Sequence, residues 1–371
     1  MKLLFLTSYY PHFLRTFYAS NPDFSTLSYP RMLERILGRF FADTGSIYHH
    51  ALKHGHEAFL IIVNCEPLQK KWAEENGMRY GRNNWEKEIA LAQIRTFLPD
   101  VFYIESVFDY YGDFLRAAKP FCGMIVSWIS TPYSDGLKIN DIDLFISSTP
   151  AFVDTFRKNN ITSEYMLPAF DTRVPALVSS DDRKDIPFSF IGGWGEVHVN
   201  RKRALEQLVQ KTPIRLWGYG YVKQYKKRKF AYYKQLLLPE KTPILEAYNG
   251  EVWGLDMYAV LRRSLITFNI HESLLQGRVG NMRMFEATGV GTMLLNDNGS
   301  NLSELFVPGK EIETYNTVEE AVEKVNYFIG HPDKALEIGN NGQQRTMREY
   351  NYDIFIEQLT HYCQRGLRLR Q

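Results

Sequence analysis

The chain has 371 residues, 44% hydrophobic and 14% aromatic, with a formal net charge of +2. That length suits about two domains with real cores, and the near-neutral charge argues against a genome-scale nucleic-acid binder. Cys65, Cys122 and Cys363 are too few and too widely spaced for a disulfide framework or a zinc site, and fit a reducing cytoplasm.

The start, Met1-Lys-Leu-Leu-Phe-Leu-Thr-Ser-Tyr-Tyr-Pro11, holds only a short apolar run. It reads as a first buried strand over 3–6 rather than a secretory signal. Pro30 suits a first helical turn, and Met32, Leu33, Ile36, Leu37 and Phe40 follow at helical spacing. Thr44 suits the cap of a helix ending near Gly55, before a strand over 58–63. A helix is expected over 86–97, strands over 101–104, 124–128 and 144–147, a helix over 152–158 and a strand over 164–167. Alternating strands and helices imply a mostly parallel sheet covered on both faces.

The composition then shifts. Residues 168–187 hold three prolines and several charges and read as the linker. A second alternating series follows. It has a strand over 188–191, a helix over 201–211 capped by Asn200, and a strand over 214–217. Further on come a helix over 256–263, a strand over 265–270, a short helix from Asn281 to Gly289 and a strand over 292–295. Helices over 318–329, 334–350 and 352–364 and a basic tail complete the chain. No run approaches the roughly 20 apolar residues that span a bilayer, so any membrane contact is expected to be peripheral.

The most informative stretch runs from Asn269 to Asp297. A strand ends at His271, a glycine-broken loop carries Arg278, and a helix opening at Asn281 carries Arg283 and Glu286. The first amides of a helix lack internal partners and carry partial positive charge, so this loop suits a diphosphate. Glu286 lies deeper in the helix and suits hydroxyls, such as those of a ribose. A plain surface ion pair between Arg283 and Glu286 is the alternative, since the two share a helical face. Asn281 can serve as a cap, and His271 as a structural residue.

A second loop suited to anions, Phe190-Ile-Gly-Gly-Trp-Gly-Glu-Val-His-Val-Asn-Arg201, opens the second series. Gly192 and Gly193 let backbone amides approach an anion, Arg201 can pair with two phosphate oxygens, and His198 can donate a hydrogen bond. The other reading is a tight turn with a solvated arginine. Trp217 and Gly218 end a strand where a nucleobase could rest; equally, Trp217 is core and Gly218 a turn former. The basic and aromatic run 222–234 suits a solvated helix face or an anionic membrane. His49, His50, His54 and His56 lie close together, as cationic groups at a helix end. Dinucleotide-binding, phosphate-loop and hydrolase-elbow glycine motifs are absent from the sequence.

The segment Asn281-x-Arg-x-Phe-Glu-Ala-x-Gly289, with 294–297, 302–306, Gly309-Lys-Glu311 and Tyr315, resembles CgeB-like bacterial glycosyltransferases. Gly192-Gly193, His198, Arg201 and Trp217-Gly-Tyr-Gly220 fit the same family, and Phe5–Pro11 together with Asn64–Gln69 resembles its cell-wall and surface-polysaccharide branch. The resemblance implies an α/β, GT-B architecture: two Rossmann-like, doubly wound domains facing across a cleft. The expected division is 1–170 on the acceptor side, a linker over 171–186, and 187–351 as the nucleotide-sugar domain. Residues 352–371 would pack back on the first domain.

The resemblance further implies transfer of a sugar, most simply a hexose, from a nucleoside-diphosphate sugar. The acceptor would be a saccharide or lipid-linked molecule of cell-envelope or surface-polysaccharide synthesis. The setting would be cytoplasmic, peripheral to the inner membrane face. No cofactor, metal or nucleic acid is called for. Gly192, Gly193, His198, Arg201, Trp217, Gly218, His271, Arg278, Asn281, Arg283 and Glu286 are the expected donor-binding residues. Related retaining enzymes carry two glutamates separated by seven residues; Glu286 matches the second, and Arg278 stands at the first. Glu105, Asp109, Ser130 and Thr131 are the catalytic candidates of the first domain. A nucleotide-sugar epimerase and a non-catalytic nucleotide- or glycan-binding protein remain alternatives.

Overall fold

The computed structural model describes residues 1–134, 136–178, 183–195, 199–222, 242–271 and 277–368. The chain divides into two compact units, Met1–Ala169 with Asn351–Gln371, and Phe170–Tyr350.

The first unit is built on β1 (Lys2–Thr7), β2 (Glu57–Ile62), β3 (Val101–Glu105), β4 (Met124–Trp128), β5 (Leu144–Ser147) and β6 (Ser163–Tyr165). These strands pair in parallel in the order β2-β1-β3-β4-β5-β6. β1 is apolar on both faces because both are covered. Leu4 and Leu6 pack in a core with Ala90 and Ile94 of the helix Trp85–Phe97. From β1's opposite face, Phe5 meets Tyr103 edge-on at 5.7 Å. The helix Thr44–Lys53 packs on β1 and β2, and the helix Tyr352–Arg368 packs on that helix and on β4.

The second unit contains β7 (Ile186–Ile191), β8 (Ile214–Trp217), β9 (Ser264–Asn269), β10 (Met293–Asp297) and β11 (Glu313–Tyr315). They form a parallel sheet in the order β11-β10-β9-β7-β8. Buried Phe188, Phe190, Ile266, Phe268 and Leu295 are among the strand residues of its core. The helix Met282–Gly289 ends hard against Phe170. A Cβ on Gly289 would sit 2.4 Å from that ring, so only glycine permits the contact.

Each sheet reverses its strand order at one place, between β1 and β3 in the first unit and between β7 and β9 in the second. Open parallel sheets bind ligands outside the carboxyl ends of the strands at such a switch point.

Some sequence expectations need correcting. Thr44 is the first residue of its helix, not the cap; it is fully buried and its hydroxyl donates to Glu105. Asn200 lies inside the helix Val199–Lys211 rather than before it. The last strand of the first unit is Ser163–Tyr165. The segment 168–187 read as linker contains a short helix, Val174–Leu177, and the first two residues of β7. Before that helix, Asp171 accepts from the Arg173 amide at 3.0 Å and pairs with the Arg173 guanidinium at 2.6 Å. The helices Pro11–Ser20, Glu66–Glu75 and Asp113–Ala118 and the strand β11 went unread in the sequence. Among the described residues no helix is long and apolar enough to cross a membrane.

Candidate functional site

β7 and β9 are neighbours, and Ser189 pairs with Thr267, so their carboxyl ends leave the sheet together. After β7 come Gly192 and Gly193, and after β9 comes His271. The loop after β8 runs beside the first of these. The Gly192 amide donates to the Trp217 carbonyl at 3.0 Å and the Trp194 amide to the Tyr219 carbonyl at 2.9 Å. Gly218 has φ +132°, and a Cβ there would sit 2.2 Å from the Gly192 oxygen, so glycine is required twice over. Trp217 is 7% exposed: its ring belongs to the interior. The aromatic surface here is Tyr219, 39% exposed, stacked on Trp253 at 6.1 Å and 13°. Neither residue stood among the sequence candidates, although Tyr219 lies between the two glycines already singled out.

Arg201 reaches back from its helix to the Gly193 carbonyl, 3.3 Å away, with its guanidinium over the Phe190 ring. Its charge is felt at the sheet edge. Burial, and then the Asp297 carboxylate, push the Tyr315 hydroxyl well above its ordinary value, against the pull of Arg201. Arg278 precedes the helix Met282–Gly289. Its Nε is buried with no hydrogen-bond partner among the described residues. A buried donor left unpaired is costly, so this Nε–H is available to an acceptor that the described residues do not supply.

The start of that helix is pinned from several sides. Asn281 caps it, accepting from the Met284 amide at 3.3 Å, and its side chain also pairs with Asn269. His271 Nε2 accepts from the Gly280 and Asn281 amides at 3.1 and 3.3 Å. Its Nδ1 lies 2.6 Å from Asp297 Oδ1. The donors that helix geometry leaves over are the first-turn amides of Met282 and Arg283.

Glu286 and Arg283 form an ion pair at 2.8 Å, with side chains only 13% and 17% exposed. This is not the surface pair considered from sequence. Burial raises the Glu286 carboxyl above its ordinary value, and Arg283 offsets part of that. Arg283 also donates to Met257 Sδ at 3.2 Å. His198 and residues 223–234 of the basic and aromatic run lie outside the described residues.

In the first unit, Glu105 ends β3 at the switch point. Its Oε2 accepts from the Thr7 hydroxyl at 2.7 Å and from Thr44. Asp109 is exposed on a short 3-10 turn, Phe108–Tyr110. Ser130 Oγ accepts from the Ser148 amide at 2.9 Å and bonds Ser147 and Ser148, so it ties the ends of β4 and β5 together. Thr131 is exposed beside it. Of the four, Glu105 alone is both half-buried and at the switch point. His50 and His54 of the histidine cluster converge, with Lys53, on Asp353. Among the described residues no group of three or more His, Cys, Asp or Glu side chains is arranged to hold a metal ion.

HepE from Anabaena, crystallised with UDP-glucose, superposes with a TM-score of 0.58 at 11% identity, covering 98% of this chain and 99% of its own. Sucrose-phosphate synthase from Thermosynechococcus elongatus gives 0.55 at 10% identity, with 100% of both chains covered. A glycosyltransferase from Rickettsia africae gives 0.57 at 10%, with 99% and 98% covered. No curated protein matches the chain. Residues 201–361 match the family model described as glycosyl transferase-like, and the chain as a whole has the GT-B fold.

Proposed function

We propose that the chain is a glycosyltransferase that takes its sugar, a hexose, from a nucleoside-diphosphate donor held by the unit 170–350. The observation that carries this reading is the buried Nε of Arg278, without a partner among the described residues, beside a helix start and across the switch point from Arg201. Breaking the glycosidic bond puts negative charge on the leaving diphosphate. Cations and amides already in place stabilise that charge without reorganising, and need no metal to do it. Glu286, one turn into the helix, is the candidate for the ribose hydroxyls. The exposed Tyr219–Trp253 stack offers a flat surface to a base.

The acceptor side of the proposal rests on the first unit. Glu105 is its best-placed carboxylate, and a saccharide or lipid-linked acceptor of the cell envelope is the class the sequence resemblance favours. A cytoplasmic setting, peripheral to the inner membrane face, follows from the same resemblance.

UDP is the nucleotide to test first, since HepE was crystallised with UDP-glucose. Arg278→Ala and Arg201→Ala should each lower kcat/KM for donor consumption by about a hundredfold or more. Turnover should survive chelation of divalent metals. Two alanine variants as active as wild type would remove the site. Isomerised sugar formed from donor alone would point to the epimerase instead.

A further inference from the structure

Three consecutive backbone amides lead into the helix Met282–Gly289, and side chains from elsewhere hold all three. Asn301, 1% exposed, holds Val279 on both sides: its Oδ1 accepts from the Val279 amide and its Nδ2 donates to the Val279 carbonyl, each at 2.8 Å. His271 holds the next two, Gly280 and Asn281, on one ring nitrogen. Two N–H groups aimed at Nε2 require a lone pair there, so the ring hydrogen sits on Nδ1. Asp297 fixes that tautomer. Its Oδ1 faces Nδ1 at 2.6 Å, and its Oδ2 accepts from the His271 backbone amide at 2.9 Å. The imidazole side chain is 3% exposed, so water does not compete for it.

We propose that His271 and Asp297 are a positioning dyad for donor binding rather than ligand-contacting groups. With Nε2 taken by two loop amides and Nδ1 by Asp297, the ring has no polar atom left for a phosphate. It sets the segment between Arg278 and the helix in its binding geometry before the donor arrives. Preset segments lose little freedom on binding, so the dyad acts on donor affinity. This rests on the donor reading above.

The test compares His271→Asn with His271→Gln in the full chain. Asn keeps a donor facing Asp297 but cannot reach the loop amides; Gln carries an oxygen out to the Nε2 position. Amide hydrogen exchange at Gly280 and Asn281 should be slow in wild type and in the Gln variant, and fast in the Asn variant. Val279, held by Asn301, should stay slow in all three. UDP should bind the Asn variant about tenfold or more weakly, and the Gln variant within about threefold of wild type. At saturating donor the Asn variant should recover its kcat, so that the defect lies in KM.

Unprotected Gly280 and Asn281 amides in wild type would overturn the proposal, as would equal UDP affinity in wild type and the Asn variant. A Gln variant as weak as Asn would reduce His271 to a packing role. A wild type that binds UDP, with Asn defective, supports both readings. A wild type that binds no nucleoside diphosphate sinks the donor reading itself, and the positioning role with it.

Discussion

Glu286 carries two roles that a single alanine substitution cannot separate. It is the partner of a mostly buried arginine and the candidate ligand for ribose hydroxyls. Removing one member of a buried ion pair costs roughly 3–5 kcal/mol, because the other charge is stranded. Here both side chains keep some access to solvent, 13% for Glu286 and 17% for Arg283, so a smaller loss of about 2–3 kcal/mol is expected for Glu286→Ala. In a unit of this size that is about 4–12 °C in Tm. The double variant Glu286→Leu with Arg283→Met removes both charges and keeps the volume filled. Such replacements are often neutral or stabilising, so its Tm should return to within a few degrees of wild type.

Donor affinity should not return with it. If Glu286 accepts from ribose hydroxyls, the double variant should bind UDP about tenfold or more weakly, the worth of a hydrogen bond to a charged group. Thermal melts and calorimetric UDP titrations on wild type, Glu286→Leu, Arg283→Met and the double variant complete the cycle. Additive losses of Tm would deny the coupling of the pair. UDP affinity that rises and falls with Tm would leave Glu286 a structural residue only. The pH dependence supplies an independent sign. The folded Glu286 carboxyl is raised, burial being the larger cause. Its contribution to stability is therefore full below the unfolded glutamate value of about 4.3 and is lost as pH rises through the folded value. Wild-type Tm relative to the double variant should decline over that interval.

Asp353 should behave with the opposite sign. Burial disfavours its charge, but hydrogen bonds from Lys53, His50 and His54 outweigh burial and hold the carboxyl well below its ordinary value. The stability it gives is present above the unfolded aspartate value of about 3.9 and is lost as pH falls through the folded value. Asp353→Asn should cost about 1–3 kcal/mol at neutral pH, with the gap to wild type narrowing below about pH 4 in acid melts; a constant gap would refute the linkage. Gly218→Ala places a Cβ 2.2 Å from the Gly192 oxygen at φ +132°. The loops after β7 and β8 must then part, so Tm should fall by several degrees and UDP affinity by about tenfold or more. Wild-type values for both would show that the paired loops do not shape the site.

How much of this was legible depended on how local the cause was. The strands β1, β3, β4, β5, β7 and β9 announced themselves because both faces are buried and the apolar runs are continuous. The helix Glu66–Glu75 went unread because Leu68 and Trp72 are its only large apolar anchors among charged neighbours. Pro11 closes the opening apolar segment of the sequence, yet it starts a helix whose buried Phe13, Leu14 and Phe17 form a single narrow stripe. β11 has three residues and no period to read. Asn281 as a cap was legible, since a cap is a local device. The His271–Asp297 contact bridges 26 positions, and that of Thr7 with Glu105 bridges 98. No spacing rule reaches so far; such pairs appear only once neighbouring parallel strands bring their carboxyl ends together.

That convergence also gives the two switch points different charge although both sheets are open, parallel and switched. At the switch point of the first unit the titratable group is an acid: Glu105, whose hydrogen bonds from Thr7 and Thr44 both fall on Oε2. At the switch point of the second the groups are cations and amides, with the nearby Asp297 occupied by His271 and Glu286 by Arg283. A diphosphate brought to Glu105 would meet like charge, whereas at Arg201 and Arg278 it meets opposite charge. A neutral acceptor hydroxyl has no such quarrel with a carboxylate, and Glu105 can accept its hydrogen bond. Under the proposed reading, the sign of charge at each strand end, and not the shared topology, favours residues 170–350 for the donor and the first unit for the acceptor.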